Sequence, residues 1–441
     1  MALALTACSS WSPGTQNTEA MAEPPAAAAV NPMALWWQRF NDPLLSTLVS
    51  AALQANTSVR SAQAALQQAR AVRDLNSAGL LPAVFATGSA QRSRSDAVDA
   101  SNSWQVGLDA SWELDVFGGK RNTLNAAEAD AQALQATLGD VLVSVAAEVA
   151  LAYVQLRGLQ AQLMISGNNL KSQQETLQIT DWRAQAGLTT SLEVEQARTA
   201  SEQTSALLPV LQASIAKTSH SLAVLTGQTP QALQLQLKEP LAIPQVAESL
   251  ALDIPAETLR QRPDVRAAEL RVQAALERVS AADAARYPAF SIGGSVGLNA
   301  LTLGALGSGT GLVSALLGSV SVPLFDGGAA KSQVLAQEAA LEQARAGYQS
   351  VVLNGLKDVE DALVALSGDR ERLTHLQSAA VAAGNADLLA QYRYRSGLID
   401  FQTVLQTQRT LLVTQDSVAS ATADVSADHV RLYKALGGGW N

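Results

Sequence analysis

The residue types that most often carry out catalysis or bind metals are scarce in this sequence. It contains three histidines, His220, His375 and His429, and one cysteine, Cys8. No two histidines have the HxxxH or HExxH spacing that places two ligands on one helix face. No pair of acidic residues has a spacing that indicates a hydrolase. The sequence therefore predicts no metal site, no cofactor and no enzymatic activity, and the histidines are expected to lie on the surface.

Cys8 is the residue whose surroundings indicate a covalent modification. It ends the tetrapeptide Leu5-Thr6-Ala7-Cys8, which resembles a bacterial lipoprotein box, although no lysine or arginine precedes the apolar run. In that resemblance the cysteine becomes the mature N-terminus and carries lipid. Residues 9–31 are rich in Ser, Pro, Gly and Ala and show no periodicity. We therefore interpret residues 1–31 as a signal remnant and tether, lipidated at Cys8.

The overall composition favours long, closely packed helices. Among 441 residues, 16% are charged and 4% are aromatic, alanine is frequent, and the net charge is −9. Alanine is the best helix former and allows helices to approach closely. The acidic balance argues against nucleic acid as a partner. No continuous apolar run reaches the length of a membrane-spanning helix, about 18 residues or more.

An internal repeat organises the chain after the tether. Four landmarks recur in the same order, separated by about 206 to 210 residues. The sequence therefore predicts two structurally equivalent halves, residues 32–240 and 241–441. The matching segments are Leu81–Phe85 with Tyr287–Phe290, Val116–Lys120 with Leu324–Gly328, Ala186–Leu188 with Ser396–Leu398, and Leu225–Gly227 with Leu436–Gly437.

Each half begins with a helix that is followed by two strand-like segments. The helices are predicted over about 44–78 and 256–285. A proline follows each of them, as expected for a residue that cannot continue a helix. The second strand of the first half alternates clearly, with Trp104, Leu108 and Trp112 on one face. Tilted strands of about ten residues are long enough to cross a bilayer. The strands are predicted over about 83–93, 104–115, 289–298 and 313–324.

Each half then contains a very long helix and a shorter returning helix. Their apolar residues step by three and four positions, in narrow, alanine-rich stripes that are typical of coiled coils. Gly187 and Gly397 lie where the chain is expected to turn back. Pro209 is expected to kink or interrupt the first returning helix. The helices are predicted over about 120–186, 189–225, 328–396 and 399–436.

Four strands per chain cannot form a closed barrel. An isolated four-stranded sheet in lipid would leave backbone groups unsatisfied at both edges. The simplest solution is an oligomer whose strands combine into one barrel and whose helices form a long hollow cylinder. The competing interpretation is a periplasmic coiled-coil rod without a pore, but it gives no role to two pairs of membrane-length strands.

Several short sequence motifs, together with this order of helices and strands, resemble those of the TolC/OprM-like outer-membrane factors. More narrowly, they resemble the lipoprotein (NodT-type) channels of resistance–nodulation–division efflux systems. The resemblance covers the chain from about residue 32 onward. The motifs that carry it are Trp37–Leu45, Trp112–Gly118, Arg260–Glu269 and Val322–Gly328.

The resemblance implies a mixed α+β homotrimer in the outer membrane of a Gram-negative bacterium. Three chains would supply a twelve-stranded barrel in outer-membrane lipid and a helical barrel that extends into the periplasm. A periplasmic adaptor (membrane-fusion) protein and an inner-membrane pump of the resistance–nodulation–division class are the implied partners. The chain would conduct drugs or other small toxic compounds passively. A TolC-like duct for type I protein secretion is the alternative within this family.

The resemblance also implies a gate at the periplasmic helix tips. In the family, an Arg and a Tyr just before the second turn lock onto an acidic residue near the first turn. The matching residues are Arg393, Tyr394 and Glu193, and Arg409 matches another arginine of the gate region. We therefore predict that Arg393 and Tyr394 form the closed-state tether and that Glu193 is its acceptor.

The pore constriction departs from the family pattern. Relatives often carry acidic residues there, whereas the corresponding positions are Thr403 and Gln406, with Gln402 nearby. Only Asp400 or Glu195 could make this ring acidic. Because an anionic ring favours cations, we predict a constriction that multivalent cations block less than in relatives with an acidic ring.

Overall fold

The computed structural model describes residues 35–95, 98–246, 261–308 and 311–438. Cys8, the predicted tether and the first residues of the helix predicted over 256–285 lie outside this part. The described chain is mixed α+β, as predicted, with long helices and one small antiparallel sheet.

The first half is built from four α-helices and two strands within the described residues. A short 3-10 helix, Trp36–Phe40, precedes them. In chain order they are α1 (Pro43–Ala55), α2 (Thr57–Ala78), β1 (Ala83–Ser95), β2 (Val98–Leu114), α3 (Gly119–Gln185) and α4 (Ser191–Leu225).

The second half repeats this order. Its elements are α5 (Pro263–Ala284), β3 (Ala289–Ala300), β4 (Leu312–Ser321), α6 (Ala329–Arg395) and α7 (Phe401–Ala435). The helices α2 and α5 have 22 residues each, α3 and α6 have 67, and α4 and α7 have 35. These equal lengths correspond to the two halves that the repeat predicts.

The first predicted helix is interrupted at Asn56. The sequence predicted one helix over about 44–78, but Asn56 is extended and separates α1 from α2. Its side-chain oxygen accepts a hydrogen bond from Ser58 N at 2.8 Å, which caps α2. Its side-chain nitrogen donates to the carbonyl of Leu225 at 2.8 Å. Asn56 therefore connects the α1–α2 junction to the end of α4. Helical periodicity in the sequence does not reveal this contact.

Pro209 does not interrupt α4. The helix continues from Ser191 to Leu225 with Pro209 inside it, so the predicted interruption is wrong. Pro209 is exposed, and a carbonyl group that loses its partner at this position can bind water instead.

One helix in the described part is long and apolar enough to cross a membrane. The helix is α3, in which an 18-residue window has a mean hydropathy of 1.6. Length and composition alone do not separate a membrane helix from a core helix, and half of this window is buried within the chain.

The four strands form one antiparallel sheet in the order β1-β2-β3-β4. Residues that pair directly lie on the same face, as Ala90 and Trp104 do. The alternation divides the sheet into two faces. We call the face that carries Ala90 and Trp104 the apolar face. Its apolar residues include Val84, Ala86, Ala90, Trp104, Val106, Leu108, Ala110, Trp112, Phe290, Ile292, Val296, Leu298, Leu312, Leu316 and Val320.

The opposite face of the sheet is mostly polar. It includes Thr87, Gln105, Asp109 and Glu113 on the first two strands, and serines and Asn299 on the others. The apolar face is not covered by the rest of the chain, since Val106 is 54% exposed and Leu316 is 83% exposed. A single chain therefore leaves a large apolar surface unburied at one end.

The largest hydrophobic core lies around the middle of α3. Trp36 is fully buried and stacks on Tyr433, with ring centroids 5.3 Å apart. Beside it, the buried Arg157 guanidinium donates to Gln160, to the carbonyl of Glu239 and to the Tyr153 hydroxyl. This polar network joins the segment after α4 to α3, and it supplies three hydrogen-bond acceptors to a charge that would be costly to bury alone.

The Arg262-Pro263-Asp264 motif has a structural role that centres on the Arg262 side chain. Arg262 donates to the carbonyl of Ala435 at 2.7 Å and forms a bidentate pair with Asp264. Pro263 occupies the first turn of α5, where a missing N–H has no cost. The motif therefore joins the start of α5 to the end of α7.

His429 is buried, in contrast to the predicted surface position. Its Nε2 lies 2.9 Å from Nη2 of Arg370, and its Nδ1 lies 2.7 Å from the carbonyl of Val425. Because arginine can only donate, Nε2 accepts and Nδ1 carries the proton of a neutral ring. His220 and His375 are exposed, as predicted.

Candidate functional site

The two helix tips have the same backbone design. Gly187 and Gly397 each have φ 71°, a left-handed conformation that glycine adopts without strain. After each glycine, a leucine N–H donates back to the last turn, from Leu188 to the carbonyl of Arg183 and from Leu398 to that of Arg393. This arrangement ends a helix and satisfies its free carbonyls. It turns α3 into α4 and α6 into α7 within a few residues.

Tyr394 is the central residue where the two tips meet. It belongs to α6 but is only 6% exposed, because it lies in a small core that also includes Ala197 of α4 and Phe401 of α7. Its hydroxyl donates to Oε2 of Glu193 at 3.1 Å. Burial raises the pKa of the Tyr394 phenol, and the Glu193 carboxylate acts in the same direction. The hydroxyl therefore keeps its proton and remains a donor.

Glu193 lies at the start of α4 and accepts two hydrogen bonds at one oxygen. The Thr189 hydroxyl of the same turn also donates to Oε2 of Glu193. A carboxylate in the first turn is also favoured by the positive end of the helix dipole. The structure therefore brings the predicted pair Tyr394 and Glu193 together.

Arg183 of α3, which the sequence prediction did not name, also contacts Tyr394. Its Nη1 donates to the carbonyl of Tyr394 at 3.0 Å, and its guanidinium carbon lies 4.6 Å from the centre of the Tyr394 ring. Such a contact combines a charged hydrogen bond with a cation–π interaction. Arg393 is exposed, and no side-chain contact joins it to Glu193 in the described part of the chain.

Sequence reasoning missed Arg183, although the repeat contained the information. Arg183 and Arg393 stand at equivalent positions, each four residues before the glycine of its turn. The resemblance named Arg393, whose predicted partner is Glu193, and gave no role to Arg183. Periodicity does not reveal that Arg183 contacts Tyr394, because this contact depends on how α3 packs against α6.

The remaining predicted residues lie on exposed parts of the α6–α7 tip. Asp400 caps α7, accepting from the Thr403 N–H at 2.9 Å and from its hydroxyl at 2.6 Å. These hydrogen bonds lower the pKa of the Asp400 carboxyl. Gln402, Gln406 and Arg409 are exposed on α7.

Glu195, the other acidic candidate, forms an exposed ion pair. Its Oε1 lies 2.8 Å from Nη1 of Arg198, within α4. Asp400 is likewise occupied by hydrogen bonds to Thr403. Both carboxylates therefore have a polar partner nearby, Arg198 of α4 for Glu195 and Thr403 of α7 for Asp400.

The matching family covers both halves of the chain. Residues 48–228 and 254–438 match the outer membrane efflux protein family, one segment in each predicted half. The chain belongs to the outer membrane efflux protein family. It is an efflux channel protein of the outer membrane of Gram-negative bacteria, which confirms the family, function and location predicted from the sequence.

Relatives and solved structures of this family are similar over nearly the full chain. The pyoverdine export outer membrane protein OpmQ of Pseudomonas putida is 32% identical, over 100% of this chain and 96% of its own. Nodulation protein T of Rhizobium leguminosarum is 29% identical, over 92% and 84%. The structure of the outer-membrane channel OprN is 35% identical with a TM-score of 0.88, covering 92% of this chain and 93% of its own. VceC of Vibrio cholerae is 26% identical, with a TM-score of 0.86 and coverage of 92% and 99%.

Proposed function

We propose that three copies of this chain assemble into one efflux duct. The observation that carries this proposal is the open sheet, whose outer strands β1 and β4 each leave one edge without a partner among the described residues. A row of unpaired backbone groups cannot lie in lipid. Because the four strands alternate in direction, β4 of one copy can pair antiparallel with β1 of the next. Three copies would supply twelve strands for a closed barrel, and their helices would continue it as a hollow cylinder.

The helix tips are the proposed gate of this duct. Tyr394, Glu193 and Arg183 connect α6 to the α3–α4 pair through a few polar contacts. Contacts of this kind contribute about 1 kcal/mol each, so a partner protein could exchange them for its own. Arg393 and Arg409 are exposed in one chain, and their predicted role would require contacts with other chains.

The constriction is proposed to be a nearly neutral ring. Gln402, Thr403 and Gln406 supply amide and hydroxyl groups on exposed positions of α7. Asp400 is the acidic residue beside them, and it stays ionised because hydrogen bonds from Thr403 lower the pKa of its carboxyl. Because the side chains at 402, 403 and 406 are uncharged, such a ring would attract multivalent cations more weakly than one with acidic residues at these positions.

The names of the relatives support a proposal on the exported compounds and the partners. One relative exports pyoverdine, and others are named as antibiotic and toluene efflux components. We infer that this chain releases drugs or other small toxic compounds that an inner-membrane pump of the resistance–nodulation–division class delivers through a periplasmic adaptor. Lipid on Cys8 would anchor its N-terminus in the same membrane.

The assembly can be tested on the protein extracted from membranes. Light scattering in mild detergent should give the mass of three chains, and unheated gels should show a band that shifts on boiling. Planar bilayers should show channels that remain mostly closed. A monomer or dimer without channel activity would reject the trimeric duct.

A further inference from the structure

Two arginines break the pattern of the apolar face. Arg92 and Arg94 lie on β1, two and four residues beyond Ala90. Alternate residues of a strand point to the same side, so both arginines share a face with Val84 and Ala90. Both are exposed. They therefore project from the side of the sheet that carries the apolar residues.

The strand register supports this placement. Arg92 pairs directly with Asn102, as Ala90 pairs with Trp104 two residues earlier. The register then shifts between Ser93 and Ser95, and the extra residue belongs to β2. The alternation of β1 therefore continues through Arg94. Arg92, Arg94 and Asn102 form one group of donors, which we call the rim cluster.

Two tryptophans indicate the depth of the rim cluster in a membrane. Trp104 and Trp112 lie on the apolar face of β2, eight residues apart, or about 27 Å along the strand. Aromatic residues flank an apolar band of about 25 Å in outer-membrane barrels. Trp112 marks the helix side, because its indole N–H donates to the carbonyl of Leu80 after α2. The rim cluster lies beyond Trp104, at the end of the sheet farthest from the helices.

The charge of the rim cluster is isolated on its face. Among the residues with described side chains, Arg92 and Arg94 are the two charged residues on the apolar face. Asp109 and Glu113 lie on the opposite face of the sheet. None of the ion pairs formed by the described side chains includes either arginine. Asp96 and Asp99 follow Arg94 in the sequence and lie outside the residues with described side chains. An arginine on the lipid face is strongly destabilising at mid-membrane but costs little near the interface.

We propose that the rim cluster binds the phosphate groups of a phosphorylated glycolipid in the outer leaflet of the outer membrane. This inference rests on the proposed barrel, with its apolar face toward lipid and its helices in the periplasm. The two arginine Cα atoms are about 7 Å apart along the strand. Guanidinium groups bind phosphate oxygens through paired hydrogen bonds, and Asn102 can add an amide donor. Acyl chains of the same lipid would pack below, on Trp104 and Val106.

Lipid binding to the full-length trimer tests the proposal. Native mass spectrometry would compare retention of lipid A with that of dephosphorylated lipid A. We expect Arg92→Gln/Arg94→Gln to bind lipid A about thirtyfold more weakly, because each of the two basic residues near anionic lipid contributes about fivefold. The Lys pair, Arg92→Lys/Arg94→Lys, should bind lipid A more tightly than the Gln pair but more weakly than wild type, because lysine keeps the charge and loses the paired hydrogen bonds. Dephosphorylated lipid should bind wild type and the Gln pair equally.

A charge-matched variant provides the control. Arg60→Gln/Arg70→Gln removes the same charge from exposed positions of α2, and its lipid A binding should equal that of wild type. Equal binding by the Gln pair and wild type, or binding independent of phosphate, would reject the rim cluster as the site. Displacement by millimolar inorganic phosphate alone would reject the lipid as its ligand.

The same samples separate this inference from the proposed duct. Mass and channel activity are measured for every variant. Trimers that conduct but show no phosphate-dependent binding would reject the rim cluster alone, whereas the absence of trimers in wild type would reject the barrel. If the Gln pair does not assemble, the single variants Arg92→Gln and Arg94→Gln and the phosphate dependence of wild type decide the question.

Discussion

Tyr394 is held by residues of three other helices. Arg183 of α3 covers its ring, Glu193 of α4 accepts from its hydroxyl, and Phe401 of α7 lies 5.4 Å from its ring centre. Two of these contacts are polar and join α6 to the other helix pair. Removing Arg183 would therefore weaken that connection while leaving most of the apolar packing.

Arg183→Gln is expected to make the duct leak. The variant loses the cation–π contact and the charged donor to the Tyr394 carbonyl, together about 1–3 kcal/mol. That loss should increase the open population by a factor between several-fold and about a hundredfold, as measured in planar-bilayer recordings. Arg395→Gln, at an exposed position of the same tip, is the control and should behave as wild type. Equal channel opening in both variants would count against Arg183 as part of the gate.

His429 should make the packing of α6 and α7 sensitive to acid. Burial lowers the pKa of His429, and the positive charge of Arg370 acts in the same direction. The unfolded chain therefore binds the proton more readily. Stability is fully present above the ordinary histidine pKa of about 6.5 and falls as the pH decreases below it, by at most about 1.4 kcal/mol per pH unit.

Thermal unfolding between pH 8 and pH 5 would measure this dependence. His429→Gln should flatten the profile, because glutamine does not titrate. His375→Gln removes an exposed histidine from α6 and should leave the profile unchanged. Identical profiles for wild type and His429→Gln would contradict the prediction.

At the scale of elements, α3 contacts α7 through a series of polar pairs. Gln162 donates to Ser420, Asn169 to Gln415, and Gln408 donates back to Thr176. The three residues of α3 are seven apart, which is the coiled-coil repeat. Arg183 stands one further repeat along α3, at the tip. Hydrogen bonds between side chains therefore hold this part of the α3–α7 interface. They contribute less to stability than the burial of large apolar side chains at the same positions would.

Arg262 should stabilise the junction of α5, α6 and α7. Arg262→Met keeps much of the volume but removes the pair with Asp264 and the donors to Ala435 and Gly355. We expect unfolding free energy to fall by about 1–3 kcal/mol, because the Asp264 side chain is 28% exposed and water can solvate it once Arg262 is removed. Chemical denaturation would measure it. Arg271→Met, at a more exposed position of α5, should cost less than about 1 kcal/mol, and similar losses in both variants would contradict the anchoring role.

At the scale of the whole molecule, the constriction ring decides how the assembled duct responds to cations. We expect submicromolar multivalent cations to leave most of the current through purified trimers in planar bilayers, because the ring is nearly neutral. Gln402→Glu and Gln406→Glu together should create an acidic ring and introduce block. Strong block of wild type at submicromolar concentration would contradict the neutral ring.

Local sequence patterns determined much of this fold. The repeat, the paired 67- and 35-residue helices, the four strands and the family motifs could all be read from spacing and composition. Each depends on residues close together in the chain. The pair Tyr394 and Glu193 was also predicted, but through the resemblance, because 201 residues separate them.

Only the tertiary structure decided which side chains meet across helices. It placed Arg183 against Tyr394, buried His429 against Arg370, and broke the first helix where Asn56 contacts Leu225. It also fixed the strand register that groups Arg92 with Asn102. The sequence determined the elements because periodicity within a segment fixes its type and length. The contacts needed the tertiary structure because the relative height and rotation of packed elements depend on the fit of distant surfaces, which no local spacing encodes.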